Sequence, residues 1–290
     1  MNYRGEIALI TAGILYGFFG VFTKLIGFSI PMFYQAWVRC IGALVFLVPF
    51  VFLIKGQWKN IQRKDYVWFF LRSFCGFISF LTIYIAFIKL DIGTAYFLTY
   101  ASSMIVGYIL GIVLFQEKLT KSGIFAFILS FIALSLIYSV HIQGDTLLYV
   151  ILAIISGAFS PGWNVFSKKI SSSYSILQLN VVDTAYAFVF PFVTSLVLRE
   201  SWIAPSWTPA WIYSCLLGCL FMSTGFLIVY GFKKVSAQTG MILMLIEIVA
   251  GIIFGYLFFR EMPSFGSFVG GGLIILAMLI RTFAKDHHEV

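Results

Sequence analysis

What most limits this chain is a succession of apolar runs, each near 20 residues, separated only by short polar breaks. About 20 apolar residues wound as helix cover the ~30 Å hydrocarbon thickness of a bilayer. Such runs fall at roughly 7–25, 32–54, 66–89, 92–116, 122–140, 146–166, 176–198, 209–232, 237–259 and 264–280, leaving no room for a water-soluble domain. Composition agrees, since 61% hydrophobic and 10% charged residues with a mean hydropathy of +1.01 lie outside the soluble range. The expected fold is an all-α membrane protein with ten transmembrane helices. Pro31, Pro209 and Pro263 stand at or just before helix starts, and Asp145, Ser175 and Ser236 are expected caps. The first run shows no small-residue cleavage site and is expected to remain a span.

Charge distribution sets the orientation. Lysine and arginine outnumber acids 19 to 11, which in a soluble chain would suggest a nucleic-acid partner. Here thirteen basic residues fall in alternate breaks and at the two ends (Arg4, Lys55, Lys59, Arg63, Lys64, Lys118, Lys121, Lys168, Lys169, Lys233, Lys234, Arg281 and Lys285). Only Lys24, Lys89, Arg199 and Arg260 fall in the others. The positive-inside rule then puts both termini in the cytoplasm of a bacterial-type inner membrane, with lipid and no nucleic acid as partner. Arg39 and Arg72 lie within helices. Trp58, Tyr66, Trp68, Trp202, Trp207 and Trp211 read as interfacial belt residues. The four cysteines lie inside apolar runs, so neither a disulfide framework nor a metal site is expected.

The chain also repeats. GILYGFFGVFTKLI (Gly13–Ile26) returns as GAFSPGWNVFSKKI (Gly157–Ile170) at a spacing of 144, and the same spacing carries Gly107, Gly111, Phe115 and Glu117 onto Gly251, Gly255, Phe259 and Glu261. Two five-span units follow, 1–143 and 144–290. Five is odd, so the second unit enters the membrane from the other side. Inverted repeats of this kind surround a central cavity with a site near the midplane and work by alternating access.

Several segments resemble a known family: VFTK and VFSK closing the first and sixth helices, WVRC in the second, AFIKLDIGTA joining the third and fourth, and the glutamates of FQEKLT and FREMPS. The chain resembles EamA-like members of the drug/metabolite transporter superfamily over nearly its whole length. The resemblance implies a two-fold-related bundle that opens alternately to either side, with amino acids, nucleotide-like metabolites and drugs among the family's substrates. The family often has a proline midway along the fourth and ninth helices. Ser103-Met104 and Glu247-Ile248 stand there, so no proline is available to break either helix.

Two stripes at helical spacing are the candidate cavity walls: Tyr96, Tyr100, Ser103, Gly107 and Gly111 on the fourth helix, and Gly240, Met244, Glu247, Gly251 and Gly255 on the ninth. Their polar parts would face the cavity and their glycines would allow close packing; alternatively both are helix contacts throughout. Glu247 stands out, because a carboxylate at mid-depth must be paired, hydrated or protonated. It could bind a cationic substrate group, carry a coupling proton, or balance a buried base.

Arg39 could grip a substrate carboxylate, or, like its repeat mate Asp183, pair with another buried charge. Lys24 and Lys168 are expected to snorkel to opposite interfaces. Glu117 and Glu261, beside Lys118 and Arg260, are expected in local pairs or as gate contacts. Trp163-Asn164, after the Pro161-Gly162 kink, is an expected cavity wall.

No phosphate-cradling loop, HExxH or GxSxG is present, and His141, His287 and His288 fall in an outer loop and the tail. No enzyme, cofactor or ATP-driven pump is therefore expected. A channel is disfavoured by the lack of rings of pore-lining charge. The leading reading is a secondary transporter of small amphipathic metabolites, amino acids or related zwitterions first and export before uptake, with protons as a candidate coupling ion and a monomer or homodimer as the assembly. The alternative is uptake or exchange of a nucleoside-linked metabolite such as S-adenosylmethionine. The positions where the repeats disagree, Gly20/Asn164, Arg39/Asp183 and Ser103/Glu247, are where recognition is expected.

Overall fold

A computed structural model describes residues 3–27, 29–54, 58–87, 89–90, 92–138, 146–170 and 173–283. The cap expected at Asp145, together with Lys55, Ile88, Asp91, His141, Lys285, His287 and His288, lies outside them. The described chain is helical, with no strand among the described residues. Its elements are α1 (Arg4–Ile26), α2 (Met32–Leu53), α3 (Arg63–Ala86), α4 (Ile92–Phe115), α5 (Lys121–Ile137), α6 (Leu147–Val165), α7 (Ile176–Val197), α8 (Pro209–Phe232), α9 (Ala237–Met244), α10 (Ile246–Phe259) and α11 (Phe265–Phe283). These make ten spans, the ninth being α9 and α10 together. Nine stretches of at least 18 residues are apolar enough to cross a bilayer, and α5, at 17 residues, completes the set.

Local chemistry sets the helix ends. The Ser175 and Ser236 hydroxyls accept from the N–H groups of Gln178 and Thr239, Thr120 caps α5 through Gly123, and Pro209 occupies the first turn of α8. Gly27, at φ 56°, closes α1 in a conformation that suits glycine. The rings of Tyr3 and Phe283 meet at 6.2 Å, so α1 begins and α11 ends on one face, the terminal face. Of the expected belt residues, Trp58, Tyr66, Trp202 and Trp207 are exposed. Trp211 is instead buried against Tyr34, and Trp68 packs partly buried against Phe166.

The two repeats interleave. α1 packs on α8 and α10, and the equivalent α6 packs on α3 and α4. Three contacts join a helix to its own repeat mate, α2 with α7, α5 with α11 and α4 with α9. That pattern is what a two-fold axis in the membrane plane generates. Small residues permit the close approaches. A Cβ on Gly157 of α6 would stand 2.1 Å from the Thr99 carbonyl oxygen of α4, which is backbone and cannot yield. Gly157→Ala is therefore expected to lower stability by about 1–3 kcal/mol in detergent melting experiments. Gly42→Ala, where nothing lies within 4 Å, should change it little.

The ninth span corrects the expectation of an unbroken helix. It breaks at Leu245 without a proline: the Leu245 N–H turns back to Ile242, and the Ile248 N–H to Leu245, in tightened three-residue steps. The break faces α1 where Gly13 admits the backbone of residues 244–247; a Cβ there would meet Ile246 at 2.4 Å and the Met244 oxygen at 3.3 Å.

Candidate functional site

Because of this break, Glu247 lies in the first turn of α10 rather than in the middle of a continuous helix. The positive end of a helix dipole favours a carboxylate there. The Tyr100 hydroxyl of α4 donates to Glu247 Oε1 at 3.1 Å, a link between the repeats at mid-depth. Tyr96 stacks on Tyr100 at 5.8 Å, and Tyr138, just past α5, lies 6.2 and 6.4 Å from the two rings. Tyr16 of α1 completes the surround, within electrostatic range of Glu247 and against Trp163 and Thr224. Among the described residues no lysine or arginine is ion-paired with Glu247.

The Trp163 side of this group is built on a buried ion pair. Arg72 of α3 is 1% exposed and bonds to Asp183 of α7, itself 4% exposed. Arg72 Nε also donates to the Trp163 carbonyl at 2.6 Å, and its guanidinium lies 4.4 Å from the Trp163 ring centroid. Gly76, one turn along α3, leaves room for that ring, since a Cβ there would stand 2.9 Å from it. Lys233, just past α8, is held below the ordinary lysine value by burial first and by the Arg72 charge next.

The expected residues thus separate. Glu247, Tyr100, Tyr96 and Trp163 belong to one neighbourhood, with Tyr16 and Tyr138 as members that sequence reasoning missed. Tyr16 had a signal, because its repeat mate is Ser160, another mismatch at spacing 144. Asn164 is partly buried beside Trp163, and its carbonyl accepts from Ser167 at 3.1 Å. Ser103 is buried one turn beyond Tyr100, and Met244 lies in the main core with Met104 and Ile242. Arg39 lies elsewhere: its stem runs along α8 at Gly218, and its guanidinium donates to Gln35 one turn back at 3.4 Å. Asp183 has its buried partner, and that partner is Arg72, which the sequence marked only as an arginine inside a span.

The lysines and glutamates at the span ends also differ from expectation. Glu117 does not pair with Lys118, nor Glu261 with Arg260, and Lys24 and Lys168 do more than snorkel. Lys168 Nζ bonds to Glu117 at 3.1 Å and to the Val235 carbonyl at 2.9 Å, while Lys24 bonds to Glu261. Each pair joins the two repeats, and each lysine lies over the phenylalanine two residues before its glutamate, Phe115 or Phe259. The cause is local. Gln116 and Arg260 both adopt left-handed backbone, at φ 54° and 58°, and the next N–H bonds back to Gly111 or Gly255. The carboxylate then folds over that glycine, which explains the six-residue spacing.

The two faces are not in the same state. On the terminal face Gly107 is filled by Met241 at 2.6 Å and Gly111 by Glu117 and Gln238, while buried Arg281 ties α11 to Thr239 and Thr120. In the opposite half, Gly20 and Gly251 meet nothing within 4 Å, and Lys24 and Glu261 are more than half exposed. α4 packs on α9, whereas no comparable packing joins it to α10. The bundle is closed at the terminal face and parted at the other.

A two-fold bundle of ten spans, parted on one side down to a carboxylate among tyrosines, defines a membrane transport protein rather than an enzyme. The model of the EamA-like transporter family matches residues 3–139 and 147–283, and the chain belongs to that family. An uncharacterized transporter of Archaeoglobus fulgidus is 24% identical over 285 residues, covering 97% of this chain and 96% of its own. The uncharacterized transporter YetK of Bacillus subtilis is 23% identical over 295 residues, covering 98% and 88%. One solved crystal structure superposes over the whole of both chains with a TM-score of 0.77 at 13% identity, a likeness of fold alone.

Proposed function

We propose that this protein is a secondary active transporter that works by alternating access. Its units, 1–143 and 144–290, would move a small amphipathic metabolite whose amino group sits at Glu247. The carrying observation is that Glu247 has a tyrosine partner and no cationic one. An intramembrane carboxylate in that condition is completed by a substrate cation or a proton, which makes protons the candidate coupling ion. Amino acids and related zwitterions fit this reading with their ammonium end at Glu247, although Arg39 no longer supplies the other grip. Trp163, Tyr96 and Tyr100 would take the apolar part, with Asn164, Ser103 and Met244 behind them. Export, an inner-membrane location and cytoplasmic termini complete the proposal, for a monomer or homodimer.

The stacked Tyr96, Tyr100 and Tyr138 support the second reading, exchange of a nucleoside-linked cation such as S-adenosylmethionine. The test compares metabolites inside and outside overproducing cells, then measures counterflow of the labelled hits in proteoliposomes. Saturable counterflow of an amine is expected. Amine entry no faster than into protein-free liposomes would refute the proposal, and counterflow confined to a nucleoside-linked cation would select the second reading.

A further inference from the structure

Three chain reversals share one construction, a left-handed residue followed by glutamate: Gln116-Glu117, Arg199-Glu200 and Arg260-Glu261. Two of these glutamates cap a helix of the other repeat. Glu117 accepts from the N–H groups of Ala237 and Gln238 at 2.5 and 3.0 Å, holding the start of α9 on the terminal face. Glu200 accepts from Phe33 and Tyr34 at 3.2 and 2.6 Å, holding the start of α2 on the opposite face. Glu261 is bonded to Lys24 and caps no helix among the described residues. The positions equivalent to Ala237 and Gln238 at spacing 144 are Gly93 and Thr94, in the first turn of α4 and on the same face as Glu261.

We propose that Glu117 and Glu261 are alternating helix caps. When the opposite face closes, Glu261 moves onto the backbone N–H groups of Gly93 and Thr94, and Glu117 releases Ala237 and Gln238. The inference rests on the alternating-access reading. Its physical basis is that a helix N-terminus attracts a carboxylate wherever one can reach it, and the two-fold gives each face one such pair. Here the caps differ in use because the faces differ in closure: Glu117 is folded over Gly111 between packed helices, while Glu261 is exposed over Gly255. The Glu200 cap lies on the α2 and α7 contact and is a fixed reference.

Amide hydrogen exchange on the full chain in lipid nanodiscs tests this without any substrate. Glu117→Gln is expected to speed exchange at residues 237–238 at least tenfold and to slow it at 93–94, leaving 33–34 unchanged. In the Glu117→Gln/Glu261→Gln double variant the protection gained at 93–94 should vanish. Should Glu117→Gln loosen the whole bundle, Lys168→Gln, which keeps the capping carboxylate, should shift both sites in the same directions. Unchanged exchange at 93–94 in Glu117→Gln or, where that variant is globally loosened, in Lys168→Gln overturns the proposal, as does protection that survives in the double variant. Reciprocal exchange in a protein that shows no counterflow would preserve the caps and remove the transport reading. Counterflow without reciprocal exchange would do the reverse.

Discussion

Arg72→Met is expected to cost about 3–5 kcal/mol of stability, because it strands the Asp183 carboxylate in an apolar interior. Asp183→Leu should cost a similar amount for the mirrored reason, a guanidinium left 1% exposed with no counter-charge. The double variant should recover most of the loss. Two charges removed from water repay their desolvation only when their remaining atoms are also bonded. Here Arg72 Nη2 and Asp183 Oδ1 have no hydrogen-bond partner among the described residues. Thermal unfolding of the four proteins in detergent gives the coupling energy directly, and single-variant losses that simply add in the double would dismiss the account. The recovered double variant should still transport poorly. Arg72 also fixes Trp163, through the bond to its carbonyl and the face of its ring, and an apolar side chain does neither.

Glu247→Gln is expected to reduce transport by the value of one contact to a charged group. That is about 1.5–3 kcal/mol, or roughly 10–150-fold at 1.36 kcal/mol per decade. The amide keeps the size of the side chain and can still bond to Tyr100, so folding should be retained. Arg39→Ala, by contrast, should transport at close to the normal rate. Its guanidinium bonds within α2 and its stem lies on α8, away from the tyrosine group. Initial rates in proteoliposomes, normalised to protein shown to be folded, decide both. Unchanged rates in Glu247→Gln would remove Glu247 from the site, and a loss in Arg39→Ala would restore the two-handed grip on a zwitterion.

Much of this molecule was legible as sequence. The span limits were close, because apolar run length is a local quantity and the bilayer fixes its scale at about 20 residues. The spacing of 144 gave the repeat and its inversion, and the matched family segments begin at residues 3 and 147, the same distance apart. Glu247 was conspicuous because a carboxylate in an apolar run needs a reason wherever the run folds.

Partnership was not legible. Lys24 and Glu261 are 237 residues apart and Arg72 and Asp183 111 apart, and only the crossing of α1 with α10 and of α3 with α7 joins them. The glutamates looked local to Lys118 and Arg260 because neighbours in sequence suggest neighbours in space. The left-handed turns at Gln116 and Arg260 send them to the other repeat instead.

The sequence by itself determined the class of fold, the number of spans and the two-fold relation between its halves, all set by run length and repetition. Only the tertiary structure decided which charges meet, where the ninth span breaks and which face is closed. Those depend on how α1, α4 and α9 approach one another across the repeats, and no local pattern records that approach.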